Sequence, residues 1–271
     1  MDLLFRLSLG IAFSVLIAGI AYTRNSLSQS GTAGAVLIGT IIFGFGGWVL
    51  GVVLISFFVL SSLLSHYKTA AKKNLSEKFE KGNKRDLGQV LANGGAGALV
   101  AIVYFFYPEP WIMAAFFGGI ASVNADTWAT ELGVLAKNAP RLITTLKKVD
   151  IGTSGGISIQ GTAAAFTGAL AIALLAGILL ILDGAVNTWF FILPTVAAGM
   201  AGCLFDSLLG ATVQVIYFSQ NRGRETEKKT DRDGSANEYL RGWCWLNNDW
   251  VNFISSLVAM VVSIFIWFII I

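Results

Sequence analysis

Apolar residues in this chain run in long blocks, and the polar residues gather between them. The first block runs roughly from Leu3 to Tyr22, and a polar link with Arg24, Asn25 and Gln29 follows. Gly31 to Leu64 then carries no charge over 34 residues. As one straight helix that segment would be about 50 Å long, too long for one ordinary crossing of a ~30 Å hydrocarbon core. Gly44-Phe45-Gly46-Gly47 sits near its middle, so it reads as two short helices joined by a tight glycine turn. One long, kinked helix is the competing reading. The later blocks are Gln89–Tyr107, Trp111 to about Ala136, Ile157–Leu182, Trp189–Phe218 and Val251–Ile271, with Pro108-Glu109-Pro110 splitting the first two. Lipid offers backbone groups no partners, so each block has to pair its own amides as a helix. The pattern predicts an all-α polytopic membrane protein with seven or eight transmembrane helices, one domain over residues 1–271.

Composition agrees: 55% of the 271 residues are hydrophobic and 13% charged, against about 25% charged in soluble domains. The net charge of +3 matters less than its placement. Basic residues concentrate in three hydrophilic loops, 65–87, 137–153 and 219–249. Helix pairs separate the loops, which returns each to one face, and the positive-inside rule places that face in the cytoplasm of a cell membrane. Such loops attract anionic lipid or a phosphorylated substrate. Lys72-Lys73 reads as a solvated helix face, and short loops without interleaved aromatics argue against a nucleic-acid partner. Two cysteines, Cys203 and Cys244, make neither a disulfide framework nor a metal cluster. His66 is the sole histidine, which excludes a histidine triad or a multi-histidine zinc site. No cleavable leader is evident, so the first block is expected to stay as a membrane helix. Nothing in the pattern fixes an oligomeric state.

A parallel internal repeat is legible. Gly118-Gly119-Ile120-Ala121 followed by Asp126-Thr127 resembles Ala198-Gly199-Met200-Ala201 followed by Asp206-Ser207, at an offset of 80. Ahead of each lies an acidic-glycine helix start, Asp86-Leu87-Gly88 and Asp150-Ile151-Gly152. An even number of helices per unit gives parallel rather than inverted repeats.

The candidate chemistry lies at the polar interruptions. Asp126 and Glu131 sit in an otherwise apolar helix, where an acid costs about 2.5–3.5 kcal/mol at mid-membrane and so faces a polar cavity. Helical spacing sets Asn124, Thr127 and Glu131 on one stripe, and carboxylate, amide and hydroxyl oxygens together suit hydrated Mg²⁺. Asp206, with Ser207, Gly210 and Gln214, forms a second stripe, and the repeat pairs Asp206 with Asp126. Asn248 and Asn252 share a face opening the last helix beside Asp249; a helix cap with Trp250 as interfacial anchor is the alternative. Thr153-Ser154-Gly155-Gly156 precedes a helix and exposes backbone amides suited to an anion, although it lacks the Walker ending. Lys84 and Arg85, with Gln89 and Asn93, add cations able to clamp phosphate.

These residues carry a family resemblance. Lys84-Arg85-Asp86-x-Gly88-Gln89-Val90-x-Ala92-Asn93-Gly94-Gly95, Asn124-Ala125-Asp126-Thr127-Trp128-Ala129-x-Glu131-x-Gly133, Thr153-Ser154-Gly155-Gly156, Asp206-Ser207-x-x-Gly210-Ala211-x-x-Gln214 and Asn247-Asn248-Asp249-x-Val251-Asn252 look like the successive motifs of one group. It is the integral-membrane family of transmembrane protein 19 and the plant phytyl-phosphate kinase, and the resemblance runs from about Thr32 to the last helix. A looser similarity to polyprenol and phytol kinases rests on Asp126-Thr127 and Gln160-Gly161-Thr162, with Thr153 and Gln160 where those kinases often have lysine and an acid. The resemblance implies a membrane-embedded kinase that moves a phosphoryl group from CTP or ATP to a phytyl or geranylgeranyl monophosphate. Carried onto this chain, Asp126 and Asp206 would hold Mg²⁺ with Asp249 or Glu131 assisting. Lys84, Arg85 and the 153–156 loop would bind the triphosphate. Asn93, Asn124, Thr127, Gln214, Asn248 and Asn252 would face the isoprenoid monophosphate. A transporter or flippase of a lipid phosphate or small anion is the alternative, since repeats and buried acids suit that class too.

Overall fold

A computed structural model describes residues 3–67, 84–136, 138–231 and 233–271, so the Lys72-Lys73 face lies outside the described residues. Seven helices appear there: α1 (Leu3–Thr23), α2 (Gln29–His66), α3 (Leu87–Phe106), α4 (Pro110–Gly133), α5 (Ile159–Leu182), α6 (Ile192–Thr212) and α7 (Asn248–Ile270). All except α4 are long and apolar enough to cross a membrane, α6 together with a short 3₁₀ turn, Thr188–Phe191, ahead of it. The chain is an all-α polytopic membrane protein.

Element α2 is not straight. Ser28 N–H donates to the Arg85 carbonyl at 2.9 Å, and Arg85 Nη1 donates to Ser62 Oγ at 2.9 Å. In a continuous helix, residues 28 and 62 would lie about 50 Å apart. One arginine reaches both because α2 doubles back at Gly47, where φ is 80° and ψ −175°. A side chain is strained at such a φ, and glycine is not. Phe43 and Gly51, on either side of the turn, pack against each other. The glycine-turn reading therefore holds. At the same end of the bundle, Arg6 Nη2 donates to Phe45 O at 3.0 Å and Trp48 Nε1 to Asp183 Oδ1 at 2.7 Å. The described parts of the hydrophilic loops lie at the other end.

Helix α4 is the axis of the bundle. Every residue from Ile112 to Ala125 is buried, on all sides of the helix, with α2, α3, α5, α6 and α7 around it. A helix apolar on every face belongs in a core, and its small residues let the neighbours come close. A methyl on Gly118 would lie 2.7 Å from Ser263 Cβ and 2.9 Å from Ala198 Cβ, and one on Gly199 would lie 3.1 Å from Ala121 Cβ. Thus α4 and α6 cross at the glycines of the two similar segments.

Among the described residues, five short strands lie in the loops. β1 (Arg141–Leu142) pairs antiparallel with β2 (Gly156–Ile157), and β3 (Ile216–Ser219) lies between β4 (Arg224–Thr226) and β5 (Glu238–Arg241). The block expected as helix to Phe218 therefore ends at Thr212. There the returning loop takes over the backbone: Val215 N–H donates to Leu246 O at 2.9 Å, Trp243 N–H to Val213 O at 2.8 Å, and Arg241 Nη1 to Gly210 O at 3.1 Å. Asp86 caps α3 in a reciprocal box with Gln89, as its acidic-glycine start suggested. Asp150 does not do the same for α5. Ser158 caps that helix, accepting from Gly161 N–H at 3.0 Å, because the glycine loop and β2 intervene.

Candidate active site at the loop end of the bundle

At the loop end the polar first turns of α3, α5 and α7 meet the finishing ends of α4 and α6. Their ends enclose a polar cavity of about 290 Å³. Asp126 and Asp206 line it from α4 and α6, seven residues before Gly133 and six before Thr212. Each is therefore ~10 Å inside the helix end. The two carboxyls are close enough for the charge of one to act on the other, and Glu227 acts on Asp206 from the third loop. Around them stand the starts of α3 (Gln89, Asn93), α5 (Ser158, Gly161, Thr162) and α7 (Asn248, Asp249, Asn252). Asn252 Nδ2 donates to Asn93 Oδ1 at 3.4 Å, tying α7 to α3.

Arg85 is the buried cation of this site. It is 9% exposed, its guanidinium lies 5.4 Å from the Phe58 ring centroid, and Glu131 acts on it electrostatically. Burial pulls its pKa down to about 10, against the opposing pull of Glu131, so it remains cationic at neutral pH. Glu131 also accepts from Ser65 Oγ at 2.6 Å. Opposite, Gly152 and Gly155 both take φ of 79°, and the backbone of the 152–156 loop lines the cavity. Gly155 is pressed on Ala211 at the end of α6, 2.6 Å from Cα for an added methyl, so the loop needs glycine there. Helix N-termini and glycine-loop amides are anion sites, each helix end contributing about 0.3–1 kcal/mol. An anion is therefore favoured at the mouth and a cation beside the aspartates.

An integral-membrane family model, DUF92, matches residues 12–260. The chain belongs to the DUF92 family of integral membrane proteins. Protein PGR of Arabidopsis thaliana is 34% identical over 275 residues, 94% of each chain. An uncharacterized membrane protein of Methanocaldococcus jannaschii is 32% identical, covering 98% of this chain and 97% of the relative. Protein VTE6, chloroplastic, of A. thaliana is 24% identical over 92% of this chain and 68% of its own. No solved structure matches. The motifs quoted from the sequence point to this family.

In this DUF92 chain the cavity gathers Arg85, Asn93, Asp126, Thr127, Glu131, Thr153, Ser154, Gly155, Gly156, Asp206, Asn248, Asp249 and Asn252 from the expected set. Three expected residues stand elsewhere. Lys84 extends over the Tyr22 ring, 5.5 Å from its centroid. Asn124 is fully buried and donates to the Gly168 carbonyl at 2.7 Å, joining α4 to α5. Gln214 lies beyond the end of α6, off the Asp206 stripe. It accepts from Ser154 Oγ at 2.8 Å and donates to Glu227 at 3.0 Å, bracing the glycine loop from behind. Sequence reasoning missed Ser65, Cys203 and Glu227, all of which line the cavity. Cys203 precedes Asp206 by three residues on one helix face, so extending that stripe backwards finds it. Ser65 and Glu227 arrive through the α2 turn and the β3–β5 sheet, and no local pattern marks them.

Proposed function

We propose that this DUF92 protein is a membrane-embedded prenyl-phosphate kinase, transferring a phosphoryl group from CTP or ATP to an isoprenoid monophosphate. One observation carries the reading: anion-binding helix ends, a glycine loop and a buried arginine converge on two facing aspartates. The motif resemblance to the family that includes the plant phytyl-phosphate kinase supports it. Phosphoryl transfer needs mostly positioning and charge neutralisation, and those are the assets of this cavity. The nucleotide phosphates lie on the 152–156 amides and the α5 start, and Arg85 with Asn93 and Asn252 holds the acceptor phosphate. An acceptor oxygen, already anionic, attacks the γ-phosphorus. The bond to the β-bridging oxygen breaks, leaving a prenyl diphosphate and the nucleoside diphosphate, with no side-chain base required.

Among the described residues no three acidic, histidine or cysteine side chains form a ready metal cage. Mg²⁺ is usually held by one or two carboxylates and completed by water and phosphate oxygens, so the Asp126–Asp206 pair fits it as a shared partner of bound nucleotide. It would neutralise charge on the phosphates. The basic loops support a cytoplasm-facing cavity by the positive-inside rule.

The test is turnover. Protein purified in detergent, with Mg²⁺, labelled CTP or ATP and phytyl or geranylgeranyl monophosphate, should form the diphosphate. Failure of every nucleotide and chain length with well-folded protein overturns the kinase and favours the transporter, which need not consume nucleotide.

A further inference from the structure

A second cavity adjoins the first. It lies between α1, the two arms of folded α2, and α3, and it shares Arg85, Gln89 and Asn93 with the polar site. Apart from those three, Ser14 alone of its described lining residues has a polar side chain; the rest are aliphatic, aromatic or glycine, Ile38, Leu54 and Phe58 among them. Small residues bring the first arm of α2 close to its neighbours around the cleft: Gly39 packs on Ser14 of α1, and a methyl on Gly94 of α3 would lie 2.8 Å from Ile38 Cγ2.

Its two ends differ. At the loop end the Arg85 guanidinium covers the Phe58 ring while its charge faces Glu131, so one side chain forms the boundary between apolar and polar space. At the turn end the contact of Phe43 with Gly51 closes it. From Phe58 to Gly51 along the returning arm is ~10 Å. The cleft is narrow, about 80 Å³. Phe13 lines the cavity and is 44% exposed on α1, so this wall of the cleft lies at the surface of the bundle.

We propose that this cleft seats the single isoprenoid tail of a prenyl monophosphate, with Arg85 at the tail–phosphate junction and the Phe43–Gly51 contact as the stop that sets tail length. The identity of the tail rests on the kinase reading; the continuity of the two cavities does not.

The experiment reads occupancy first. Protein in detergent, without nucleotide, is irradiated with geranylgeranyl monophosphate bearing a diazirine on its terminal isoprene, and the labelled peptides are mapped. Saturable labelling within residues 43–55 is expected, displaced by unlabelled geranylgeranyl monophosphate. Labelling confined to α5–α7, or spread unsaturably over lipid-facing surface, overturns the cleft. Ile55→Trp, which narrows the cleft above its stop, should shift the binding ratio of geranyl to geranylgeranyl monophosphate about tenfold toward the shorter tail. An unchanged ratio in a folded variant also overturns it. Should Ile55→Trp fail to fold, labelling of the unaltered protein still decides. Labelling at 43–55 without turnover of any nucleotide removes the kinase and keeps the tail site; turnover with labelling elsewhere removes the tail site and keeps the kinase.

Discussion

The segments α3–α4 and α5–α6, which the sequence pairs as similar units, serve one cavity by different means. In the first, Asp86 caps α3 immediately after Arg85, so the helix start brings a buried cation with it. In the second, the glycine loop comes between Asp150 and the Ser158 cap, so the helix start brings backbone amides instead. The aspartate helices differ as well. α4 is enclosed on all sides, whereas α6 exposes Leu193, Leu204 and Leu208. Similar local sequences acquire different roles because one unit became the axis and the other part of the rim. What they retain in common is an acid about 10 Å inside the helix end.

The largest effect should come from that shared feature. If the proposed phosphoryl transfer holds, Asp126→Asn and Asp206→Asn should each lower its kcat by about 10²–10³-fold, the size seen when a preorganised charge partner is lost. The double variant should be little worse than either single one, since residues that act as a unit are not additive. Multiplying losses would mean that the two acids act independently, and a folded Asp206→Asn with full activity would leave Asp126 working alone.

A smaller effect separates the glycines of the two helices. A methyl on Gly202 of α6 would lie 2.7 Å from Ser122 Cβ and 2.9 Å from Ala259 Cβ, both short side chains held by their helices. On Gly119 of α4 it would meet the Met260 side chain, whose flexible end can turn away. Alanine favours helix over glycine by about 1 kcal/mol. Gly119→Ala should therefore be neutral or slightly stabilising, and Gly202→Ala destabilising by about 1–3 kcal/mol. Unfolding in mixed detergent reads the difference. Equal responses would mean that the two helices share one packing environment after all.

How much of this was legible in the sequence depends on the range of the interaction. The α2 turn was readable because 34 uncharged residues are too long for one crossing and Gly47 supplies the backbone freedom to reverse. Asp126 and Asp206 were readable because a charge in an apolar helix demands a cavity. Lys84 and Arg85 are adjacent and chemically alike, yet one lies over Tyr22 and the other is buried against Phe58. That choice is made by where the returning arm of α2 sets Phe58 and Ser62, a tertiary contact that no local pattern encodes. Gln214 misled for a related reason: helical spacing from Asp206 was extended past Thr212, where the returning loop ends the helix. Asn124 fitted its stripe and is nonetheless a tie to the Gly168 carbonyl, because periodicity names a face but not its neighbour.

The smallest effect concerns the loops that follow the two aspartate helices. After α4 the chain makes a two-stranded ribbon, and after α6 a three-stranded sheet that delivers Glu227 to the cavity. That sheet is fastened by Asp231. Its carboxylate accepts from Ser219 Oγ at 2.6 Å, from Asn237 Nδ2 at 3.4 Å, and pairs with Arg222 Nη2 at 3.3 Å. The Ser219 hydrogen bond above all, with Asn237 and Arg222, holds the carboxyl below its ordinary value. A carboxyl with a depressed folded pKa adds stability above the unfolded value, about 3.9, and loses it as pH falls through the folded value. Amide exchange in residues 216–241 should stay slow at neutral pH and quicken, after correction for intrinsic rates, only below about pH 4. Ser219→Ala should raise the folded value toward the unfolded one, so the sheet exchanges faster at pH 7 and its acid dependence flattens. The ribbon at 141–157 should respond to neither change. Unaltered exchange in Ser219→Ala would show that strand pairing alone holds the sheet, and that Asp231 does not fasten Glu227 at the cavity wall.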